Sequence, residues 1–405
     1  MSRSTDLIHH AYLPPAEFEA PQVGVFKAST VIFPNVAAMR TREWMDKSAY
    51  TYGLHGTPTT FTLEERLATL EGGSHCILTP SGLAAIAHVD FALLKTGDEV
   101  LIPDNAYAPN KSLAEGELAQ FGITHQVYDP LDVNDLAARI TPRTRLVWLE
   151  AAGSVTMEFP DLVALVQLCK ARGVLCALDN TWGAGLAFNA FGLTPGQGQL
   201  GVDLTIHALT KYPSGGGDVL MGSIVTRSDE LARVLKLTHM RLGTGVGAND
   251  AEMVLRSLAS MPLRYKAQDM AARTLAAWCA SQPAFSQVLH PALTSSPGHE
   301  HWRQLCTTPQ EPDGLAAGIF SVVMDARFPA HQVDAFCDSL KLFKIGYSWG
   351  GPMSLVMPYN MASSRQRSTE HMQRGRVVRF CIGLEDVNDL QRDILQALQQ
   401  ANLQT

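Results

Sequence analysis

The stretch IHALTKYPSG, residues 206–215, decides how this chain is read. Lys211 follows Thr210 at the end of an apolar, strand-like run, Val202 to Leu209. Upstream, a second apolar run, Val174 to Leu178, delivers Asp179 at its own C-terminal end. A lysine amine can form a Schiff base with an aldehyde cofactor, and a carboxylate can hold a pyridinium nitrogen protonated. A Lys and an Asp, each at the mouth of a predicted buried strand, are what a pyridoxal phosphate site requires. Taken separately they carry less. Asp179 could cap the turn DNTWGAG (179–185), and Lys211 could be an ordinary solvated charge.

Outward from that pair, the chain alternates. Apolar runs at 76–79, 99–102, 145–149, 174–178, 202–206 and 220–225 are separated by helical segments. This predicts an α/β fold with a mostly parallel sheet covered on both faces. Before it, residues 1–60 read as an irregular arm rich in Pro, Gly and Thr. A helix is predicted from Leu63 to Glu71, with Thr62 and Glu65 as a capping box and Gly72 as its stop. After about residue 250 the pattern changes. A helical stretch (250–282), a loop-rich passage, a strand (318–324), a helix (331–343), a second strand (377–382) and a last helix capped by Asp386 predict a smaller α+β domain. The division expected is an arm over 1–60, a large domain over 61–250 and a small domain over 251–405.

The 405 residues suffice for a large core and two domains. Hydrophobic content of 46% and charged content of 18% are those of a globular protein. A net charge of −7 argues against a nucleic-acid partner. No apolar stretch approaches the ~20 residues of a membrane span. The opening MSRSTDLIHH lacks a basic segment followed by an apolar one, so the expectation is a cytoplasmic protein with no membrane partner. Seven scattered cysteines (76, 169, 176, 279, 306, 337, 381) show no zinc or redox spacing. Buried free thiols and no metal are expected.

Ligands of open α/β sheets bind beyond the C-terminal strand ends, and three segments converge there by prediction. In CILTPSGLAAIA (76–87) a strand runs into a Ser81-Gly82 turn and a helix from Leu83, whose inward face runs Leu83, Ile86, Ala87 and Leu94. Backbone amides at such a helix start attract an anion, although a plain capped helix looks the same. In PDNAYAPN (103–110), Tyr107 follows a strand and could stack on a flat ring or lie under a loop. The third segment holds Asp179, Lys211 and Thr210, whose hydroxyl can donate to phosphate. In VVRFCIG (377–383), Arg379 has apolar neighbours and requires an anion, either a substrate carboxylate or a structural Asp or Glu. YSWGGPMSL (347–355) is a Gly-flanked aromatic loop that suits a site wall.

TYGLHGTPT, LEGG, PSGLAAI, DNAY, LDNTWGAG, TKYPSGGGD, HPAL with PGHEHW, YSWGG and IGLED together resemble the Cys/Met-metabolism family of pyridoxal-phosphate enzymes. Within it, the chain is most similar to the cystathionine β-lyase branch. The resemblance covers about residues 24 to 395. It implies a fold-type I, aminotransferase-like architecture and a homotetramer built as a dimer of dimers. By the same resemblance Lys211 would carry pyridoxal 5'-phosphate, Asp179 would face its ring nitrogen and Tyr107 would stack on the ring. Gly82 and Leu83 (backbone) and Thr210 would hold the phosphate. Tyr52 would reach a neighbouring subunit's site. Ser348 and Arg379, with Ser154, would bind the carboxylate of a sulfur amino acid. Trp349 in SWGG and Ala208 resemble β-lyases rather than the γ-lyases and γ-synthases of the family. The reaction implied is α,β-elimination, with Lys211 and Tyr107 catalytic. Leu54 stands where the family carries a phosphate-binding Arg, so either another donor (His55, Arg40 or Arg42) substitutes or cofactor binding is weaker. GGGD (215–218) and Pro352-Met353 also depart from the family wording.

Overall fold

The computed structural model describes residues 20–194, 200–361, 365–366 and 376–403. Seven strands form the large sheet: β1 (His75–Thr79), β2 (Glu99–Pro103), β3 (Thr124–Tyr128), β4 (Thr144–Glu150), β5 (Leu175–Asp179), β6 (Leu204–Ala208) and β7 (Gly222–Thr226). Their order is β1-β7-β6-β5-β4-β2-β3. From β3 across to β6 every pairing is parallel, whereas β7 runs antiparallel to both β6 and β1.

Alternate residues of these strands enter two cores. Leu78, Leu101, Val147, Leu149, Cys176 and Leu178 meet helices Pro58–Glu71 and Leu162–Arg172 on one face. Ile77, Val100, Ile102, Trp148, Ala177 and Ile206 meet helices Gly82–Leu93 and Asp229–Leu242 on the other. Side chains that alternate into two covered faces make every position apolar, which is why the runs read as continuous. β3 was not foreseen, because THQVY lies at an edge of the sheet with its first residues toward solvent.

The helix predicted from Leu63 begins earlier, at Pro58. Its cap is Thr57, which accepts from the Thr60 amide while the Thr60 hydroxyl accepts from the Thr57 amide. Thr62 instead donates its hydroxyl to the Pro58 carbonyl, so the Thr62/Glu65 capping box is replaced by Thr57/Thr60. Pro at the first helical turn needs no donor, which fixes the start there. Gly72 ends the helix in the left-handed conformation, as expected.

Beyond residue 250 the single helical stretch is two helices, Ala248–Leu258 and Met261–Cys279. A five-stranded sheet follows, ordered β10-β11-β12-β9-β8, from β8 (Phe285–Leu289), β9 (Ile319–Met324), β10 (Lys344–Ile345), β11 (Leu355–Tyr359) and β12 (Val377–Cys381). The helix expected over 331–343 runs Ala330–Ser339, and Asp393 takes the amides of Lys341, Leu342 and Phe343 beyond it. Asp386 caps the last helix, Val387–Gln400. All seven cysteines are buried and unpaired.

The two sheets are tied where the site lies. Tyr212, next to Lys211, accepts the Gly318 amide at 2.8 Å, and Gln268 donates to the Gly351 carbonyl at 2.7 Å. No helix among the described residues is long and apolar enough to cross a membrane.

Candidate active site

The C-terminal ends of β4, β5 and β6 stand side by side. Glu150 pairs in register with Asp179, and Asp179 with Ile206. The turns after β5 and β6 are stitched together, since the Ala208 amide donates to Thr181 Oγ1 at 3.0 Å. The Lys211 amide donates to the Ala208 carbonyl at 3.0 Å, which closes the turn that presents the lysine. A sheet register that fixes three strand ends thereby fixes the spacing of an amine and two carboxylates.

Lys211 is half-buried, and its Nζ donates to Ser348 Oγ at 3.2 Å. Nζ also sits 6.0 Å from the Trp349 ring centre. Burial, and after it the Arg379 cation, lower the Lys211 pKa below the ordinary lysine value. Asp179 accepts from the Thr181 amide at 3.0 Å. Burial raises its carboxyl, against the opposing pull of Thr181, His207 and Lys211.

The SWGG loop is seated on the lysine itself. Gly350 has φ +73°, and a Cβ there would meet the Tyr212 nitrogen at 2.8 Å and the Lys211 carbonyl carbon at 3.0 Å. Only glycine combines that backbone conformation with that approach.

Arg379, 7% exposed on β12, has its guanidinium 6.0 Å from Trp349 and 5.2 Å from Tyr359. It donates to the Tyr347 carbonyl at 3.2 Å, and its Nε has no partner. Among the described residues no carboxylate pairs with it. The structural ion pair that a buried Arg could have made is therefore absent among the described residues, and its charge is met by aromatic faces, a carbonyl and the Cys381 thiol.

Tyr107 is 43% exposed, and its amide donates to Glu150 Oε2 at 2.8 Å. Burial raises its phenol, with Asp179 and Glu150 adding to the rise and Arg379 opposing it. Ser154 lies alongside, its amide donating to the Asn105 carbonyl at 2.8 Å.

Ser81 caps helix Gly82–Leu93 by accepting from the Ala84 amide at 3.0 Å. A Cβ on Gly82 would meet the Ala208 Cβ at 2.6 Å, so glycine there lets the helix start approach the end of β6. Leu83 is 37% exposed instead of facing the core; the inward face is Ala85, Ile86, His88 and Val89. Thr210 Oγ1 accepts the Met221 amide at 3.4 Å and stays half-buried.

Tyr52 is not brought to these residues within the chain. It is 45% exposed and touches Ser29, Thr30 and His55 of its own arm. Leu54 sits in the turn Gly53–His55, its carbonyl bonded to His239 Nε2 at 3.1 Å.

Two groups near the site escaped the sequence reading. Glu150 follows the predicted strand 145–149 directly, the same signal that singled out Asp179, and burial with Asp179 raises its carboxyl well above the ordinary range. Tyr359 ends β11, a strand whose Pro358 and short length gave no period to read.

The donor set fits a planar aldehyde with a phosphate tail. It offers a half-buried amine, a half-buried carboxylate with no ion pair among the described residues, an exposed ring, and a capped helix start packed against the lysine's strand. The comparisons agree. A family model described as Cys/Met metabolism PLP-dependent enzyme matches residues 4–399. A putative cystathionine beta-lyase of Rhizobium johnstonii is 37% identical over 375 residues, 91% of this chain and 89% of that protein. Cystathionine beta-lyase MetC of Escherichia coli is 32% identical over 91% of both chains. The crystal structure of metB from Corynebacterium glutamicum superposes with a TM-score of 0.83 at 26% identity, covering 98% of each chain. On these grounds the chain belongs to the Cys/Met metabolism family of enzymes that depend on pyridoxal phosphate.

Proposed function

We propose that this protein is a carbon–sulfur lyase. It acts on L-cystathionine or a related cysteine S-conjugate by α,β-elimination and releases a thiol, pyruvate and ammonia; from cystathionine the thiol is homocysteine. The observation that carries the reading is that Lys211 and Arg379 both approach one aromatic wall, Trp349, each 6.0 Å from its ring centre. A base and a carboxylate receptor beside the same wall suit an amino acid substrate. The β-lyase names of relatives at 32–37% identity support the choice of bond.

Lys211 would hold the cofactor's aldehyde carbon, Asp179 its ring nitrogen and Tyr107 its ring face. The amides of Gly82 and Leu83 and the Thr210 hydroxyl would hold the phosphate. When bound, pyridoxal phosphate supplies an electron sink conjugated to the substrate's Cα. Arg379 and Ser348, with Ser154 at the margin, grip the substrate carboxylate and fix the Cα–H bond toward Lys211. Lys211 Nζ, whose pKa is lowered by burial and by Arg379, takes the Cα proton in its unprotonated form. The same amine, or the Tyr107 hydroxyl, returns a proton to the leaving sulfur. Trp349 and Tyr359 screen Arg379 from water and keep its interaction with a carboxylate strong.

We further propose a cytoplasmic homotetramer, a dimer of dimers, in which Tyr52 completes a neighbouring subunit's site. The division into an arm (1–60), a cofactor-binding domain (61–250) and a small domain (251–405) belongs to the same reading. The test is product analysis. Purified holoenzyme given cystathionine, cystine and other cysteine S-conjugates should release pyruvate with thiol or persulfide. Release of 2-oxobutyrate from cystathionine instead would overturn β-elimination in favour of a γ-lyase.

A further inference from the structure

Behind the proposed site lies a set of sealed polar groups that the reaction above does not use. Helix Pro58–Glu71 ends on Glu71, in the LEGG motif, and its side chain is shut off from solvent. Glu71 Oε1 is 3.1 Å from His207 Nδ1 on β6, and Oε2 accepts from Asn180 Nδ2 at 2.7 Å. His207 is 1% exposed and Asn180 is fully buried. His207 Nε2 and Asn180 Oδ1 have no hydrogen-bond partner.

Both partners of Glu71 are tied to Asp179 by the chain. Asn180 is its next residue. His207 follows Ile206, the residue in register with Asp179 across the sheet. Glu71 thus holds the side chains of the residue after Asp179 and of His207 on the neighbouring strand, from a helix that covers the sheet.

A sealed carboxylate is costly unless a partner compensates it. Asn180 supplies one donor to it, and the ring of His207, 3.1 Å away, is its other polar partner. Two carboxylates, Glu71 and Asp179, therefore share the neighbourhood of one imidazole. The other charged or titratable groups around them are Glu150 and Lys211 at the strand ends and Cys76 on β1, whose thiol is raised by burial and by nearby carboxylates including Glu71.

We propose that Glu71 and His207 are positioning residues that act through Asp179. Glu71 fixes the His207 ring as a donor at Nδ1, and the compensated pair keeps Asp179 in place and ionised toward the ring nitrogen of pyridoxal phosphate. The proposal rests on the reading of Asp179 as the partner of that nitrogen. It is the arrangement by which outer groups orient a ligating side chain elsewhere, where their loss typically weakens ligand affinity by about 10–100-fold.

The test uses holoenzyme and two readouts besides turnover: Kd for pyridoxal phosphate by equilibrium dialysis, and the pH dependence of the visible absorbance of the bound cofactor. Glu71→Gln keeps the shape and removes the charge. It should raise Kd about tenfold and displace the absorbance titration. His207→Gln, which keeps a neutral amide in the network, should do the same and serves if Glu71→Gln does not fold. In an Asp179→Asn background neither substitution should add a further change, because the group they act through is gone. If Asp179→Asn shifts both readouts but Glu71→Gln and His207→Gln do not, the positioning role is overturned and the Asp179 assignment stands. An equal shift with and without Asp179 would likewise overturn it, as the mark of a merely structural pair. If Asp179→Asn leaves both readouts unchanged, the assignment of Asp179 falls and the proposal falls with it.

Discussion

Asp179 and Lys211 stand on adjacent strands whose register is set by backbone hydrogen bonds and by two cores packed beneath them. Tyr52 stands on an arm whose large apolar side chains face water: Ile32 is 91% exposed and Val36 56%. Among the described residues, contacts that anchor that arm to the body include His239 to the Leu54 carbonyl, Lys47 to Glu64, and the Tyr50 ring on Phe61. The contrast teaches that one part of the proposed site is specified within a single chain. The other part carries apolar side chains that the other described residues leave exposed, the kind of surface on which interactions form.

The largest effect should come from the fixed region. Lys211→Ala removes the proposed base and covalent anchor, so turnover should fall by at least about 10³-fold. The visible absorbance of the lysine-bound cofactor should vanish with it. An active, still-yellow variant would refute the lysine assignment and dissolve the comparison.

The next test joins the two regions. If Tyr52 serves a neighbour, Tyr52→Ala should also be impaired, and mixing it with Lys211→Ala under conditions that exchange subunits should restore activity. Random pairing leaves one intact site in half of the dimers, about a quarter of the native activity. No recovery in mixed samples whose subunits have demonstrably exchanged would place Tyr52 in its own subunit's function.

Arg379→Ala should raise KM for the amino acid by roughly 10–100-fold with a smaller change in kcat, the loss of a charge-assisted pair worth about 1.5–3 kcal/mol. An unchanged KM would mean that the carboxylate is held elsewhere. Gly350→Ala forces a Cβ onto the Lys211 backbone in a left-handed conformation. It should cost about 1–3 kcal/mol, seen as a lower melting temperature together with slower cofactor capture. A variant with native stability and native capture would show that the loop does not seat the lysine.

The smallest effect is a displaced pH profile. The rate at which apoprotein captures pyridoxal phosphate covalently should rise with pH as Lys211 loses its proton. It should level off below the ordinary lysine pKa, because burial and Arg379 lower that of Lys211. Arg379→Met removes one of those causes and should move the plateau to higher pH. A plateau that stays put would show that Arg379 does not act on the amine.

Much of the fixed region was legible because a parallel sheet puts chemistry at strand ends, and a strand end can be read from where an apolar run stops. Asp179 and Lys211 were read that way, whereas Arg379 was read as a charge inside an apolar strand. Glu150 obeys the same rule and was passed over, since a Glu after an apolar run also reads as a solvated boundary. Leu83 was misplaced because a helical period gives a face only relative to its neighbours, and the inward side of helix Gly82–Leu93 is set by Ala85, Ile86 and Val89. Tyr359 and the Glu71–His207 pair left no local trace. The pair joins a helix end to a strand far along the chain, and neither residue has a spacing that betrays the other.

The amino-acid sequence alone determined the alternation of strands and helices, the two buried faces of the sheet, and the amine and acid at its mouth. These follow from periodicity, a property of neighbouring residues. Tertiary structure alone decided that Arg379 lies against two aromatic rings with no carboxylate partner among the described residues, that Gly350 rests on the lysine backbone, and that Glu71 reaches behind Asp179. Those relations join segments far apart in the chain, and only the tertiary packing of strands, helices and loops brings them together.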